Sequence, residues 1–69
     1  MLFTDVPHLR AQRAFEKAGF KVVRQGKHTV MSDGTKYLAV PRHDPLNPYT
    51  LQRLIKDAGL TDEQFKSLL

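Results

Sequence analysis

The chain has 69 residues, no cysteine and a net charge of +4, so we expect one domain over residues 1–69 without disulfides or thiolate metal sites. The three histidines at positions 8, 28 and 43 lack the spacing of a metal-ligand cluster, and no pattern for another cofactor is present. No apolar run could span a membrane and the N-terminus lacks a signal peptide, so we expect a soluble cytoplasmic protein.

The first predicted element is a helix within residues 5–20, in the segment DVPHLRAQRAFEKAGF. Asp5 is a candidate cap, and Pro7 suits the first turn, where its missing N–H costs nothing. Gly19 is expected to end the helix in the left-handed conformation, so that Phe20 folds back onto the last turn. Apolar residues at helical spacing mark the buried face: Ala11, Ala14, Phe15 and Ala18.

Three strands are predicted next, in the segments FKVVRQ, HTVM and TKYLAV. Gly26 permits the turn between the first two strands. Between the second and third we expect a three-residue loop with Gly34 in the left-handed conformation, which places Val30 on the face of Leu38 and Val40. His28 would then also point to that face, unless a bulge near Gly26 or a position at the rim turns it away. The opposite face is predicted to carry Thr29, Met31, Tyr37 and Ala39.

Two helices are predicted to close the chain. The segment PRHDPLNP is a loop because it contains three prolines. Asn47 then caps a helix with Pro48 at its first position and Gly59 at its end. Thr61 and Gln64 form a capping box for a short final helix. The apolar faces of the two helices are Leu51, Leu54, Ile55 and Ala58, and Phe65, Leu68 and Leu69.

The order α-β-β-β-α-α predicts an α+β two-layer domain. A three-stranded antiparallel sheet has one face to bury, and helices before and after the strands can cover it. Its charge is uneven, because residues 8–43 carry eight cations and two acids whereas residues 44–69 have a net charge of −1. Solubility alone could account for this surplus, and a polyanionic partner is the alternative.

His28 stands among these cations, in the predicted hairpin VVRQGKHTVM. RNA supplies its own nucleophile in the 2′-hydroxyl, so an enzyme has to remove that proton, stabilise charge at phosphorus and protonate the leaving oxygen. A histidine, with an ordinary pKa of about 6.5, can act as the base near neutral pH, although a lone histidine at a strand start is more often structural. His43 is a possible second acid or base. Candidate phosphate-binding residues are Arg24, Lys27, Lys36 and Arg42.

Four stretches in chain order resemble the HicA toxins, or YcfA-like proteins, of toxin–antitoxin systems. They are FEKAGF, VVRQGKH, VPRH and YTLQRLIKDAGLTDEQF, and the resemblance extends from about Leu9 to Leu69. The family's catalytic histidine follows a glycine and falls on His28, with Gly26 in the supporting turn. The family usually has serine between the two, and often a second histidine afterwards, where this chain has Lys27 and Thr29.

The resemblance implies a fold like that of double-stranded-RNA-binding domains. It also implies a metal-independent endoribonuclease that cleaves mRNA, halts growth and is neutralised by a HicB-type antitoxin. Operator DNA would be bound only indirectly, through that antitoxin, and no membrane would be involved.

Three other classes of protein stay open on the sequence. A non-catalytic double-stranded-RNA-binding module shares the order of elements, but such modules usually carry a lysine cluster where the last long helix starts, and this chain has none there before Lys56. A DNA-binding pair of closing helices would carry the net charge of −1, which is unfavourable against phosphates. A protein–protein module without catalysis is the third.

Overall fold

The computed structural model describes residues 3–69. In chain order the elements are α1 His8–Lys17, β1 Lys21–Gln25, β2 His28–Ser32, β3 Tyr37–Pro41, α2 Pro48–Asp57 and α3 Asp62–Leu68. The strands form one antiparallel sheet in the order β1-β2-β3. The predicted α+β fold, with the element order of a double-stranded-RNA-binding domain, is confirmed. Among residues 3–69 no helix is both long enough and apolar enough to cross a membrane.

The start of α1 differs from the prediction that Asp5 caps it. Pro7 occupies the N-cap position without a side-chain cap, and Asp5 precedes it with a φ of +55°. The helix is capped instead by Asp44, whose Oδ1 accepts a hydrogen bond from the His8 backbone N–H at 3.0 Å and lies 2.6 Å from His8 Nδ1. The Asp5 prediction is therefore wrong, because the capping carboxylate comes from 36 positions further along the chain.

The end of α1 and both caps of the closing helices are confirmed. Gly19 has a φ of +103°, and the Phe20 N–H donates to the Phe15 carbonyl at 3.0 Å. The Asn47 side chain accepts from the backbone N–H groups of residues 49 and 50 at the start of α2. Thr61 and Gln64 form both hydrogen bonds of the capping box on α3.

The sheet faces differ from the prediction for β2. Ser32 pairs with Tyr37, so the β2–β3 loop has four residues rather than three. Three hydrogen bonds to Asp33 Oδ1, from the Thr35 N–H and hydroxyl and the Lys36 N–H, hold this loop. An even number of loop residues reverses the face assignment of one strand relative to the other. Thr29 and Met31 are therefore buried with Leu38 and Val40, whereas Val30 lies on the opposite face with Tyr37 and Ala39.

A β-bulge lies in β1, where the register shifts between Val22 and Arg24. Val22 pairs with Met31 and packs against the core, whereas Val23 is 57% exposed. Arg24 pairs with Val30 and so lies on the face of the sheet away from the helices. We call this face the open face.

The core fills the space between the sheet and the three helices. Phe65 of α3 is fully buried, and its ring lies 5.2 Å from that of Phe15 and 5.3 Å from that of Phe3, between ring centroids. The predicted apolar faces of α1 and α2 are buried as well, except for Ala18 at the end of α1, which is half-buried. The helices and the N-terminal segment thus cover one face of the sheet and leave the open face to solvent.

Candidate active site

His28 is the first residue of β2, and its side chain is exposed. It lies opposite Pro41, at the end of the sheet where β3 finishes. Because Thr29 and Met31 point into the core, alternation along the strand turns His28 to the open face. The sequence predicted that His28 would share the helix-covered face with Val30, where an active-site residue would be buried. In the structure both residues lie on the open face, so His28 is accessible.

Two depressions meet at His28. The smaller one, which we call the basic depression, has a volume of about 210 Å³ and is lined by Arg24, Gly26, Lys27, His28 and Val30. Its two cations are Arg24 near the end of β1 and Lys27 in the β1–β2 turn, and they can attract an anion to the imidazole.

The larger one, which we call the proline cleft, has a volume of about 550 Å³. His28 and His43 both line it, so the structure brings these two histidines to one cleft. The remaining lining residues come from the end of β3, the following loop and the first turn of α2: Pro41, Pro45, Leu46, Asn47, Pro48 and Thr50.

Arg42 connects the β3 end to the turn beside His28. Its Nη1 lies 3.5 Å from the Gly26 carbonyl oxygen, at the long end of the hydrogen-bond range. The Gly26 N–H in turn donates to the His28 carbonyl at 3.2 Å. The guanidinium thus stays within reach of an anion bound at the basic depression.

The loop that carries His43 is anchored at two points. Asp44 binds the first residue of α1, as described above, and the Leu46 N–H donates to the Val6 carbonyl at 2.8 Å. The hydrogen bond from the His8 N–H, and then that from its imidazole, hold the pKa of the Asp44 carboxyl below the ordinary value of 3.8. The segment after β3 is therefore a fixed wall of the proline cleft.

Lys36 lies apart from these residues. It precedes β3, whereas Arg42 follows it, and a strand of five residues is roughly 16 Å long. A Cβ added at Gly59 would come within 2.6 Å of Lys36 Nζ, so the ammonium lies at the carboxyl end of α2, where a cation is favourable. The structure brings Arg24, Lys27 and Arg42 to His28, but not Lys36.

Sequence reasoning missed the polar residues Asn47 and Thr50 of the proline cleft, and it gave His8 no contact. The density of prolines predicted a loop, but it gave no signal that the loop folds back beside the start of β2. The described residues contain no group of three His, Asp or Glu side chains that could hold a metal ion.

The match to a known family extends over residues 10–60, and that family is described as the HicA toxin of bacterial toxin–antitoxin. The chain belongs to the HicA toxin family. The matched region contains His28, both depressions and the whole sheet. It ends before α3, although Phe65 lies at the centre of this HicA toxin's core. No curated protein and no solved structure matches the chain.

Proposed function

We propose that this HicA toxin is an endoribonuclease that cleaves mRNA in the cytoplasm, with His28 as the catalytic residue. The observation that carries the proposal is the exposed imidazole at the junction of the two depressions, with Arg24 and Lys27 beside it. Family membership supports the same reading, because the family's histidine falls on this position.

The proposed reaction is transesterification. The His28 imidazole takes the proton of a ribose 2′-hydroxyl, and the resulting oxygen attacks the adjacent phosphorus. The bond from phosphorus to the 5′-oxygen breaks, and that oxygen takes a proton from a general acid, for which His43 is the candidate in the same cleft. The products are a 2′,3′-cyclic phosphate and a 5′-hydroxyl end. Finding 3′-hydroxyl ends on cleaved RNA would contradict this mechanism.

Cations near His28 would stabilise the extra negative charge on the phosphorus oxygens. Lys27 and Arg24 line the depression next to the imidazole, and Arg42 reaches the same turn. Lys27 stands where the family usually has serine, and we propose that it serves as a phosphate contact. Thr29 stands where the family often has a second histidine. It is buried and faces the core, so we propose that it does not contact the RNA.

The test is growth after inducible expression of the wild type, His28→Ala and His43→Ala, with total mRNA followed in each culture. We expect arrest and mRNA loss with the wild type and neither with His28→Ala. Because the side chain of His28 is exposed, its removal should leave soluble expression and melting temperature unchanged, and both are measured as the control. Arrest by His28→Ala at equal expression would refute its catalytic role. Arrest without mRNA cleavage would favour RNA binding alone.

We also propose that a HicB-type antitoxin neutralises the protein by covering His28. The exposed cations Arg24 and Lys27 lie beside His28, so the antitoxin surface there should be acidic. Co-expression of the antitoxin from a neighbouring gene should restore growth. Arg24→Glu should weaken binding of the toxin to the antitoxin more than Lys36→Glu does. Equal effects of the two charge reversals would contradict a contact centred on His28.

A further inference from the structure

We propose that the proline cleft binds the nucleobase of the nucleotide whose 2′-hydroxyl is attacked by His28. This assignment rests on the proposed ribonuclease function. It adds a binding surface for the nucleobase to the phosphate contacts already described. The base and the 2′-hydroxyl belong to one ribose, so a hydroxyl in contact with His28 brings its own base to a surface beside that residue. Of the two depressions at His28, the basic one suits the phosphate and leaves the proline cleft for the base.

The chemistry of the cleft wall fits an uncharged ring. None of the residues that line it is Lys, Arg, Asp or Glu, whereas the basic depression carries Arg24 and Lys27. The walls offer flat side chains, three proline rings and the imidazoles of His28 and His43, on which a base can stack. Its volume of about 550 Å³ lies within the range of about 300–1,000 Å³ that is usual for small-molecule sites.

One polar group of the cleft has a free donor. Asn47 Oδ1 accepts from the backbone N–H groups of Tyr49 and Thr50, at 2.9 and 3.4 Å. Nδ2 of the same amide makes no hydrogen bond to any of residues 3–69. The helix cap engages Oδ1 and leaves the N–H₂ of this cleft-lining residue available, so we expect it to donate to a carbonyl or ring-nitrogen acceptor of a base.

Contacts within the chain hold the wall of the cleft. Leu46 at its floor is 1% exposed, and the hydrogen bond from Leu46 to Val6 and the bond between Asp44 and His8 hold the loop on both sides of Pro45. These contacts reduce the ordering that binding of a base would require of the loop. The occupant we propose is an unstacked base of single-stranded RNA, because the faces of a base within a duplex are covered by its stacked neighbours.

The test is titration of the ¹⁵N-labelled protein with uridine 3′-monophosphate, guanosine 3′-monophosphate and ribose 5-phosphate, followed by NMR. We expect the nucleotides to shift the side-chain amide of Asn47 and the backbone signals of His43 and Thr50. Ribose 5-phosphate, which has no base, should shift the signals of the basic depression, including His28, but not those of Asn47, His43 and Thr50. Equal shifts of the cleft signals by ribose 5-phosphate, or no shift of them by either nucleotide, would overturn the assignment.

Asn47→Asp separates recognition from folding. Aspartate caps a helix as well as asparagine, but it lacks the N–H₂ donor. We expect it to weaken nucleotide binding between about 3-fold and 10-fold, which corresponds to the loss of one hydrogen bond. Thr61→Asp is the matched control, because it makes the same charge change at the cap of α3. Equal weakening by both variants, or none by Asn47→Asp, would overturn the role of the amide.

The two proposals can fail separately. Arrest that depends on His28, with no nucleotide shift in the cleft, would leave the ribonuclease standing and overturn the base site. Cleft shifts with nucleotides in a protein that neither arrests growth nor cleaves mRNA would support nucleobase binding by the cleft, but would refute the ribonuclease and with it the link to the attacked 2′-hydroxyl.

Discussion

Gly59 follows α2 and Gly26 follows β1, and the two positions differ in whether the backbone requires glycine. Gly59 has a φ of +77°, and a Cβ there would also meet Lys36 Nζ at 2.6 Å. Gly26 has no left-handed φ, and a Cβ there would find nothing within 4 Å. The fold therefore needs glycine after α2, but not in the turn beside His28.

Alanine at the two positions should separate these demands. We expect Gly59→Ala to lower the free energy of unfolding by about 1–2 kcal/mol, the cost of a left-handed backbone for a residue with a Cβ. Gly26→Ala should change it by less than about 0.5 kcal/mol. Urea denaturation of both variants gives the comparison, and equal losses would contradict it. A stable Gly26→Ala variant that no longer binds RNA would place the need for glycine in ligand approach.

The cations near His28 should contribute more to RNA binding than an equal charge elsewhere. In a His28→Ala background that cannot cleave, Arg24→Gln should lower the affinity for single-stranded RNA and reduce its salt dependence by about one counterion. Lys36→Gln removes the same charge at the far end of β3 and is the matched control. Titrations at several salt concentrations measure both, and a salt dependence reduced equally by the two variants would argue against a localised phosphate site.

The sequence predicted five site candidates that the structure brings to one end of the sheet: His28, His43, Arg24, Lys27 and Arg42. Their roles stay predictions. From the sequence, Lys36 could not be distinguished from these site residues, because its position depends on the length of β3 and on where α2 ends. These are long-range features, and residue type and spacing in the hairpin do not encode them.

At the scale of elements, the cap of α1 shows a contact that local rules miss. Capping motifs are read within a few residues of a helix start, so Asp5 was the natural candidate. The acceptor is Asp44, which reaches α1 only because the loop after β3 returns to it. Local signals did predict the caps of α2 and α3 correctly, since their partners lie within three residues.

Asp44 should make stability depend on pH in a defined direction. Its folded-state pKa is lowered, first by the hydrogen bond from the His8 N–H. Its contribution is therefore fully present above the ordinary carboxyl value of 3.8 and is lost as the pH falls through the lowered value. We expect Asp44→Asn to lower the urea midpoint at neutral pH, with the gap to the wild type narrowing in acid.

Asp5→Asn is the control for that measurement. Asp5 is an exposed aspartate with a φ of +55°, a conformation that asparagine also adopts, and its side chain makes no hydrogen bond within residues 3–69. Its replacement should leave the midpoint unchanged at both pH values. A gap for Asp44→Asn that stays constant from neutral to acid pH would show that the carboxylate charge does not matter to folding.

The face of β2 was the main error at this scale. The pattern of β2 alone fits either face, because Thr29, Val30 and Met31 can each be buried. The choice depended on the number of residues in the loop, which the Asp33 side chain sets at four by binding Thr35 and Lys36. One residue of loop length thus decided whether His28 would face the helices or the solvent.

For the whole molecule, α3 is part of the fold even though the family match ends before it. Phe65 is fully buried and contacts the rings of Phe3 and Phe15. Its truncation to alanine typically costs about 3–5 kcal/mol, which approaches the total stability expected for a small domain. We expect Phe65→Ala to be largely unfolded by circular dichroism. Tyr49→Ala removes an aromatic side chain that is 72% exposed, and it should keep the wild-type melting temperature. A folded Phe65→Ala protein would mean that residues 10–60 carry the core.

The bulge in β1 has a further consequence for the protein at high concentration. β1 is an outer strand of the sheet, and a straight outer strand offers its unpaired backbone groups to any other chain. Here the strand is interrupted between Val22 and Arg24 and carries the exposed cations Lys21 and Arg24. Both features oppose edge-to-edge pairing of β1 with a strand of another copy. The same irregularity that turns Arg24 toward His28 therefore also guards the protein against aggregation.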